Sequence, residues 1–102
     1  KPGIKCSDVD LAVRKYYQEH DLMKYWLHHV GHAIGIRYHE GPFFDLGDHT
    51  IIKPGMVFTV EPGLYVPQLG GFRHSDTVLV TDTGLEMLTY YPRDIDSLTI
   101  PV

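Results

Sequence analysis

The chain has 102 residues, the size of one small domain or of part of one, and its 43% apolar and 22% charged residues are ordinary for a folded protein. A formal net charge of -4 without a basic stripe gives no support for nucleic-acid binding, and no apolar run approaches the roughly 20 residues of a membrane-spanning helix. Its first ten residues, KPGIKCSDVD, lack the apolar core of a signal peptide, so we expect a cytoplasmic protein that binds neither nucleic acid nor membrane.

The first predicted element is an amphipathic helix over residues 8–20, packed on a sheet with a structural role. Ser7 can cap it through the segment SDVD, whose acidic residues place negative charge at the positive end of the helix dipole. The single cysteine, Cys6, cannot form an internal disulfide, and we expect it to be a packed or exposed bystander and not a nucleophile. The apolar positions at helical spacing are Val9, Ala12, Val13 and Tyr16.

From Trp26 onward, short apolar runs alternate with glycine and proline turns. Their β-branched and aromatic residues indicate strands separated by tight turns. A helix followed by such strands predicts an α+β fold, with one or two helices packed on a mostly antiparallel sheet. The runs are WLHHVGHAIGI, MVFTVEPGLYV, TVLVT and EMLTYY.

Histidine is the unusual feature of the composition, because four of the seven histidines lie within residues 28–39. Spacings of four and seven residues separate His28, His32 and His39, which on a helix would place them on one face. Two glycines inside the stretch weaken the case for a regular helix. From the residues alone, a metal-binding or acid-base role and an ordinary hydrogen-bonded role both remain open.

Glu61 stands at the end of an apolar strand, in TVEPGLY, followed directly by a Pro-Gly turn. A buried strand rarely ends in an unpaired carboxylate, because desolvating such a charge costs several kcal/mol. We therefore expect Glu61 to have a polar or metal partner, the alternative being a solvated residue at the strand end.

Three stretches in this order, HHVGHAIGIRYHEGP, IIKPGMVFTVEPGLYVP and GGFRHSDTVLVTDTGLEMLT, resemble the catalytic domain of the pita-bread metallopeptidases. Within that superfamily, the segments EPGLY and GGFR are similar to the branch of aminopeptidase P and prolidase, which cleaves bonds before proline. The resemblance implies an Xaa-Pro peptidase-like hydrolase that uses manganese, cobalt or zinc and acts on a peptide or small-molecule substrate. It also implies that the full-length protein is a homodimer.

Matched position by position, the resemblance assigns a role to several residues. His32 corresponds to the metal-binding histidine of the GHxxG motif, and Glu61 corresponds to a glutamate that binds metal and assists proton transfer with the attacking water. His28 and His39 correspond to histidines that hold the substrate carbonyl and stabilise the tetrahedral intermediate. Arg73 corresponds to an arginine whose planar fork orients carboxylates.

Two departures from the family pattern affect what this chain is expected to do. The family site also uses two aspartates from strands that precede the helix, so residues 1–102 resemble the C-terminal part of the catalytic domain and are expected to be inactive alone. The second departure is Ser75, which stands where the family carries a glutamate that bridges two metals. A neutral hydroxyl cannot bridge two divalent ions as a carboxylate does.

The neighbours of Ser75 are not expected to replace that glutamate. Side chains alternate along a strand, so Arg73, Ser75 and Thr77 share one face while His74 and Asp76 share the other. Because of Ser75, two alternative functions remain open beside that of a peptidase. One is a creatinase-like, metal-independent hydrolase of C–N bonds with histidine as the acid-base catalyst, and the other is a homologue without catalysis.

Overall fold

The structure is a computed structural model that describes residues 1–102, and it has the predicted α+β class. It contains two α-helices, one 3-10 turn and seven strands. In chain order the elements are α1 Cys6–Glu19, the 3-10 turn Met23–Tyr25, β1 Gly31–Ala33, β2 Glu40–Phe44, β3 Val57–Val60, β4 Gly63–Val66, β5 Gly70–Arg73, β6 Asp76–Val80, β7 Leu85–Met87 and α2 Ile95–Leu98.

Five strands form one sheet in the order β2-β1-β3-β6-β7, and β4 and β5 form a separate hairpin. Every strand pair is antiparallel, as predicted. The sheet core is built around Phe58, whose ring stacks on Phe44 with 4.2 Å between the ring centroids. Val78, which pairs with Phe58 across β3 and β6, is buried beside it.

Helix α1 begins two residues earlier than predicted, and Ser7 does not cap it. Ser7 lies inside the first turn and is buried, with its hydroxyl 3.3 Å from Nδ1 of His49. The start of the helix is fixed instead by Lys5, whose backbone N–H donates to the carboxylate of Asp8 at 2.9 Å. This hydrogen bond satisfies a backbone donor at the start of the helix that would otherwise have no partner.

The apolar face of α1 was predicted only in part. Val9 and Val13 pack against the core as expected, but Ala12 and Tyr16 are exposed. Tyr17 takes the third core-facing position, so the packed residues follow a spacing of four. Cys6 is fully buried at the start of the helix, which is the packed arrangement of the two that were expected.

The strand boundaries differ from the prediction where proline and glycine interrupt the chain. Strand β2 was not predicted, because its sequence EGPFF carries Pro42 in the middle. The structure places β2 at the edge of the sheet, where a missing N–H need not break a ladder. In the run WLHHVGHAIGI only Gly31–Ala33 is strand. No helix of the structure has the length and hydrophobicity that crossing a membrane requires.

Candidate active site

Neighbouring strands of the sheet bring three of the candidate residues together. His32 lies in β1, Glu61 directly follows β3, and Ser75 directly precedes β6. The strands β1 and β6 both pair with β3, and the register opposes Val60 to Asp76, so the end of β3 meets the start of β6. Residues that are far apart in the sequence therefore converge where the interior strands β3 and β6 meet, beside β1.

His32 presents a buried ring nitrogen that has no hydrogen-bond partner. Its side chain is 2% exposed, and its Nδ1 lies 2.9 Å from the carbonyl oxygen of Ala33. Because a carbonyl only accepts, Nδ1 donates to it, and in the neutral imidazole the lone pair then lies at Nε2. That Nε2 has no hydrogen-bond partner and lies 3.7 Å from Oε1 of Glu61.

Glu61 has the partners that its place at the strand end led us to expect. Its side chain is 14% exposed, and its backbone N–H donates to the carbonyl oxygen of Val30 at 2.6 Å. Oε1 accepts a hydrogen bond of 3.2 Å from the hydroxyl of Ser75, while Oε2 lies 3.8 Å from a guanidinium nitrogen of Arg73. The carboxylate is thus held from two sides, with Oε1 turned towards His32.

His28 belongs to a hydrogen-bonded pair at the border of the site. Its Nδ1 lies 2.7 Å from the carbonyl oxygen of His29 and donates to it, so in the neutral ring Nε2 accepts the 2.8 Å hydrogen bond from the hydroxyl of Tyr65. A side chain at Gly63 would intrude, since a Cβ there would lie 3.0 Å from both His28 Nε2 and the Tyr65 oxygen. Tyr65 was not singled out from the sequence, although it stands in the EPGLY segment.

His39 lies beside the metal-ligand candidate at the open side of the site. Its ring centroid is 4.0 Å from that of His32 and 4.5 Å from that of Tyr38, and the Tyr38 ring also lies 5.7 Å from His32. His39 is exposed to solvent. Its ring is therefore accessible to a ligand that reaches His32.

The predicted alternation around Ser75 is found, although the strand itself is interrupted. Arg73 and Ser75 both reach Glu61, whereas the Nε2 of His74 lies 3.6 Å from the carboxylate of Asp76. The predicted continuous strand is wrong at this point, because β5 ends at Arg73 and β6 begins at Asp76. The break leaves Ser75 on an irregular segment between the two strands.

Asp76 anchors the C-terminal segment behind the site. Its carboxylate accepts hydrogen bonds from Arg93 at 2.8 and 3.0 Å and from the hydroxyl of Thr89 at 3.1 Å. Partial burial acts to raise the pKa of Asp76, but the hydrogen bonds from Arg93 and Thr89 outweigh it and hold that pKa below its ordinary value. Asp76 therefore stays ionised and keeps its hold on Arg93 into mildly acidic conditions.

Asp10 is a polar residue of the core whose place was predicted wrongly. Sequence reasoning put it with Asp8 in the cap of the helix, but it lies in the second turn of α1 and is 0% exposed. One carboxylate oxygen accepts from the backbone N–H of Val30 at 3.1 Å, and the other pairs with Arg14. Helical spacing between the Asp and the Arg was the available signal for this ion pair.

Two of the residues present fit a divalent ion. Donor atoms that each lie about 2.1 Å from one ion are at most about 4.2 Å apart. The 3.7 Å between His32 Nε2 and Glu61 Oε1 satisfies that limit, and the lone pair of the nitrogen is free. No group of three or more His, Cys, Asp or Glu side chains converges on a common metal position in the structure.

Comparison with known proteins identifies the family of the chain. The sequence profile of metallopeptidase family M24 matches residues 1–82. The chain is 41% identical over 95 residues to the Xaa-Pro dipeptidase of Pyrococcus furiosus, an alignment that covers 93% of this chain and 27% of that protein.

Solved structures give the same result. The prolidase of Pyrococcus horikoshii superposes with a TM-score of 0.90 at 39% identity, covering 93% of this chain and 27% of that one. The Xaa-Pro dipeptidase of Bacillus anthracis superposes with a TM-score of 0.88 at 38% identity, covering 92% and 26%. The chain thus spans about a quarter of the length of these relatives. It belongs to metallopeptidase family M24.

Proposed function

We propose that the full-length protein is a metal-dependent Xaa-Pro peptidase of the aminopeptidase P and prolidase type. In this proposal, residues 1–102 are the C-terminal part of its pita-bread catalytic domain. The observation that carries the proposal is the buried Nε2 of His32, which has no hydrogen-bond partner and lies 3.7 Å from the Glu61 carboxylate. Similar proteins named Xaa-Pro dipeptidase and prolidase support the choice of substrate.

His32 and Glu61 are the residues of this chain that would hold the ion. A divalent ion bound there polarises a peptide carbonyl and lowers the pKa of water. Glu61 has a second oxygen, Oε2, that lies 3.8 Å from a guanidinium nitrogen of Arg73, and we assign it the acceptance of a proton from the attacking water. Arg73 is 53% exposed, which leaves its guanidinium available to orient a substrate carboxylate.

The two remaining histidines have different roles available to them. Neutral His28 accepts a hydrogen bond from Tyr65 at Nε2, so it can donate to a substrate oxygen only as an imidazolium or after Tyr65 turns away. His39 is exposed beside His32 and has no such partner holding its ring nitrogens. We therefore assign the stabilisation of the tetrahedral oxygen first to His39, with the His28–Tyr65 pair shaping the wall of the site.

The test is hydrolysis by the natural-length protein of dipeptides with proline in the second position, against the same dipeptides with alanine there. We expect activity with manganese or cobalt, a preference for proline, and loss of activity in the variants His32→Ala and Glu61→Gln. His20→Ala is the matched control, because His20 is exposed and contacts only the helix it ends. A protein that is inactive with every divalent metal would refute the proposal.

Ser75 favours one second candidate, a metal-independent hydrolase of C–N bonds that resembles creatinase. Its hydroxyl contacts Glu61 at the position where a second carboxylate would attract another cation. In that case histidine would perform the proton transfers. Activity that survives exhaustive chelation and is lost in His39→Ala would establish the second candidate, whereas activity that chelation removes and manganese restores would exclude it.

The family resemblance supports three further parts of the proposal. These are manganese, cobalt or zinc as the natural ion, a homodimeric full-length protein and a cytoplasmic location. Elemental analysis, light scattering and cell fractionation measure them directly. We also propose that the 102-residue chain alone is inactive and binds metal weakly, because only two donor side chains converge in it. Tight stoichiometric binding by this chain would contradict that statement.

A further inference from the structure

The peptide group of Val30 connects the two candidate metal ligands. Its carbonyl oxygen accepts the backbone N–H of Glu61 at 2.6 Å. Along the chain, Val30 is separated from His32 only by Gly31, and a Cβ at Gly31 would lie 2.0 Å from the backbone oxygen of Thr59. Any rotation of the Val30 peptide would therefore move Glu61 through its hydrogen bond and His32 through the chain.

Asp10 holds Val30 through its other backbone group, the N–H, which belongs to the preceding peptide. The N–H of Val30 donates to Oδ1 of Asp10 at 3.1 Å and shares its proton with the carbonyl oxygen of Phe44 at 3.0 Å. Asp10 is 0% exposed and is carried by α1, a rigid element packed on the sheet. The carboxylate thus ties the backbone of Val30 to the helix.

The charge on Asp10 is balanced locally. A buried carboxylate without a partner would be strongly destabilising. Arg14, one helical turn further on, pairs with the second oxygen, and its guanidinium lies 5.5 Å from the centre of the Trp26 ring. Oδ1 therefore accepts a hydrogen bond from Val30 only, and the ion pair with Arg14 holds the carboxylate in place.

We propose that Asp10 is a positioning residue of the metal site, which sets the separation between His32 Nε2 and Glu61 Oε1 through the backbone of Val30. This inference rests on the proposed function, because it takes those two atoms as ligands. Asp10 touches neither ligand and acts only through the backbone. Outer contacts of this kind typically contribute a factor of about 10 to 100 to metal affinity.

The experiment compares two double variants of the 102-residue chain, Asp10→Asn/Arg14→Gln and Asp10→Ala/Arg14→Gln. Both lack the ion pair, and they differ only in whether residue 10 offers an oxygen to Val30. Zn²⁺ is titrated while NMR follows the imidazole signals of His32, at a temperature where both variants are folded. Hydrogen exchange of the Glu61 amide is measured in the same samples, and Asp8→Ala serves as a control for loss of an α1 carboxylate.

We expect the alanine variant to bind Zn²⁺ about tenfold more weakly than the asparagine variant and to exchange the Glu61 amide faster. Equal affinity and equal exchange in the two variants would overturn the inference. If the unchanged chain shows no Zn²⁺-dependent shift at His32, the metal assignment fails instead, and the exchange rate of Glu61 still decides the positioning role. Unfolding of the alanine variant alone would also overturn it, because a purely structural role would then suffice.

Discussion

The hydroxyl of Ser75 donates a hydrogen bond of 3.2 Å to Oε1 of Glu61. This is the same carboxylate oxygen that faces the free ring nitrogen of His32. The serine therefore orients the carboxylate but adds no negative charge next to it. A site that has to hold divalent cations gains most from charged oxygen ligands, which a hydroxyl does not supply.

Replacing Ser75 with glutamate is expected to strengthen divalent metal binding. The new carboxylate would stand beside Glu61 and His32 and add a third charged or lone-pair donor. We expect the affinity of the chain for Mn²⁺ or Zn²⁺, measured by isothermal titration calorimetry, to rise at least about tenfold, which is ~1.4 kcal/mol. The control is His74→Glu, which adds the same charge next to Asp76 instead. Equal gains in both variants would mean that net charge alone is responsible.

Gly31→Ala is expected to destabilise the chain and disturb His32. The added Cβ would lie 2.0 Å from the backbone oxygen of Thr59, which cannot move aside as a side chain can. Overpacking of this kind costs about 1–3 kcal/mol, and occasionally more. Urea unfolding measures the loss, with Gly84→Ala as the control, because a Cβ there meets nothing within 4 Å. A variant as stable as the parent would show that β1 shifts freely.

Arg93→Gln is expected to lower the free energy of unfolding at neutral pH, and to lower it less in acid. Hydrogen bonds from Arg93 hold the folded-state pKa of Asp76 below its unfolded value, so their contribution is present above that unfolded value of about 3.9 and is lost as the pH falls towards the folded one. Because Arg93 is largely solvated, we expect a difference of only about 1 kcal/mol at pH 7.

Urea midpoints at pH 7 and at about pH 3 test this, and the difference between variant and parent should shrink on acidification. Arg37→Gln is the control, since the Arg37 guanidinium makes no ion pair in the structure. A difference that stays constant with pH would show that Arg93 acts through packing and not through the Asp76 carboxylate.

The thiol of Cys6 is expected to be inert in the folded chain. Burial first, and the nearby charge of Asp48 second, raise its pKa to about 11. A disulfide reagent at pH 8 should therefore label Cys6 only after urea is added. Since folding raises the pKa of the thiol, Cys6 should also lower the free energy of unfolding as the pH rises from the ordinary thiol pKa of about 8.5 towards 11. Rapid labelling of the folded chain would contradict the observed burial.

Sequence reasoning predicted the parts of the site that follow from local rules. The carboxylate of Glu61 at a strand end required partners, and alternation placed Arg73 and Ser75 on one face of their strand. Asp10 escaped prediction, because a carboxylate near a helix start is ordinarily solvated and only the packing of α1 on Val30 buries it. Strand β2 escaped for a similar reason, since Pro42 is tolerated only by virtue of its edge position.

The strand order has a consequence for how the site behaves when the fold fluctuates. The strands that carry or flank His32, Glu61 and Ser75 are the three interior ones, with β2 and β7 outside them. Local opening of a domain begins at its least protected elements, and edge strands can detach at low free energy while the interior stays paired. Fraying of β2 or β7 would therefore leave the ladders of β3 intact, and the two candidate ligands would separate only when the sheet itself comes apart.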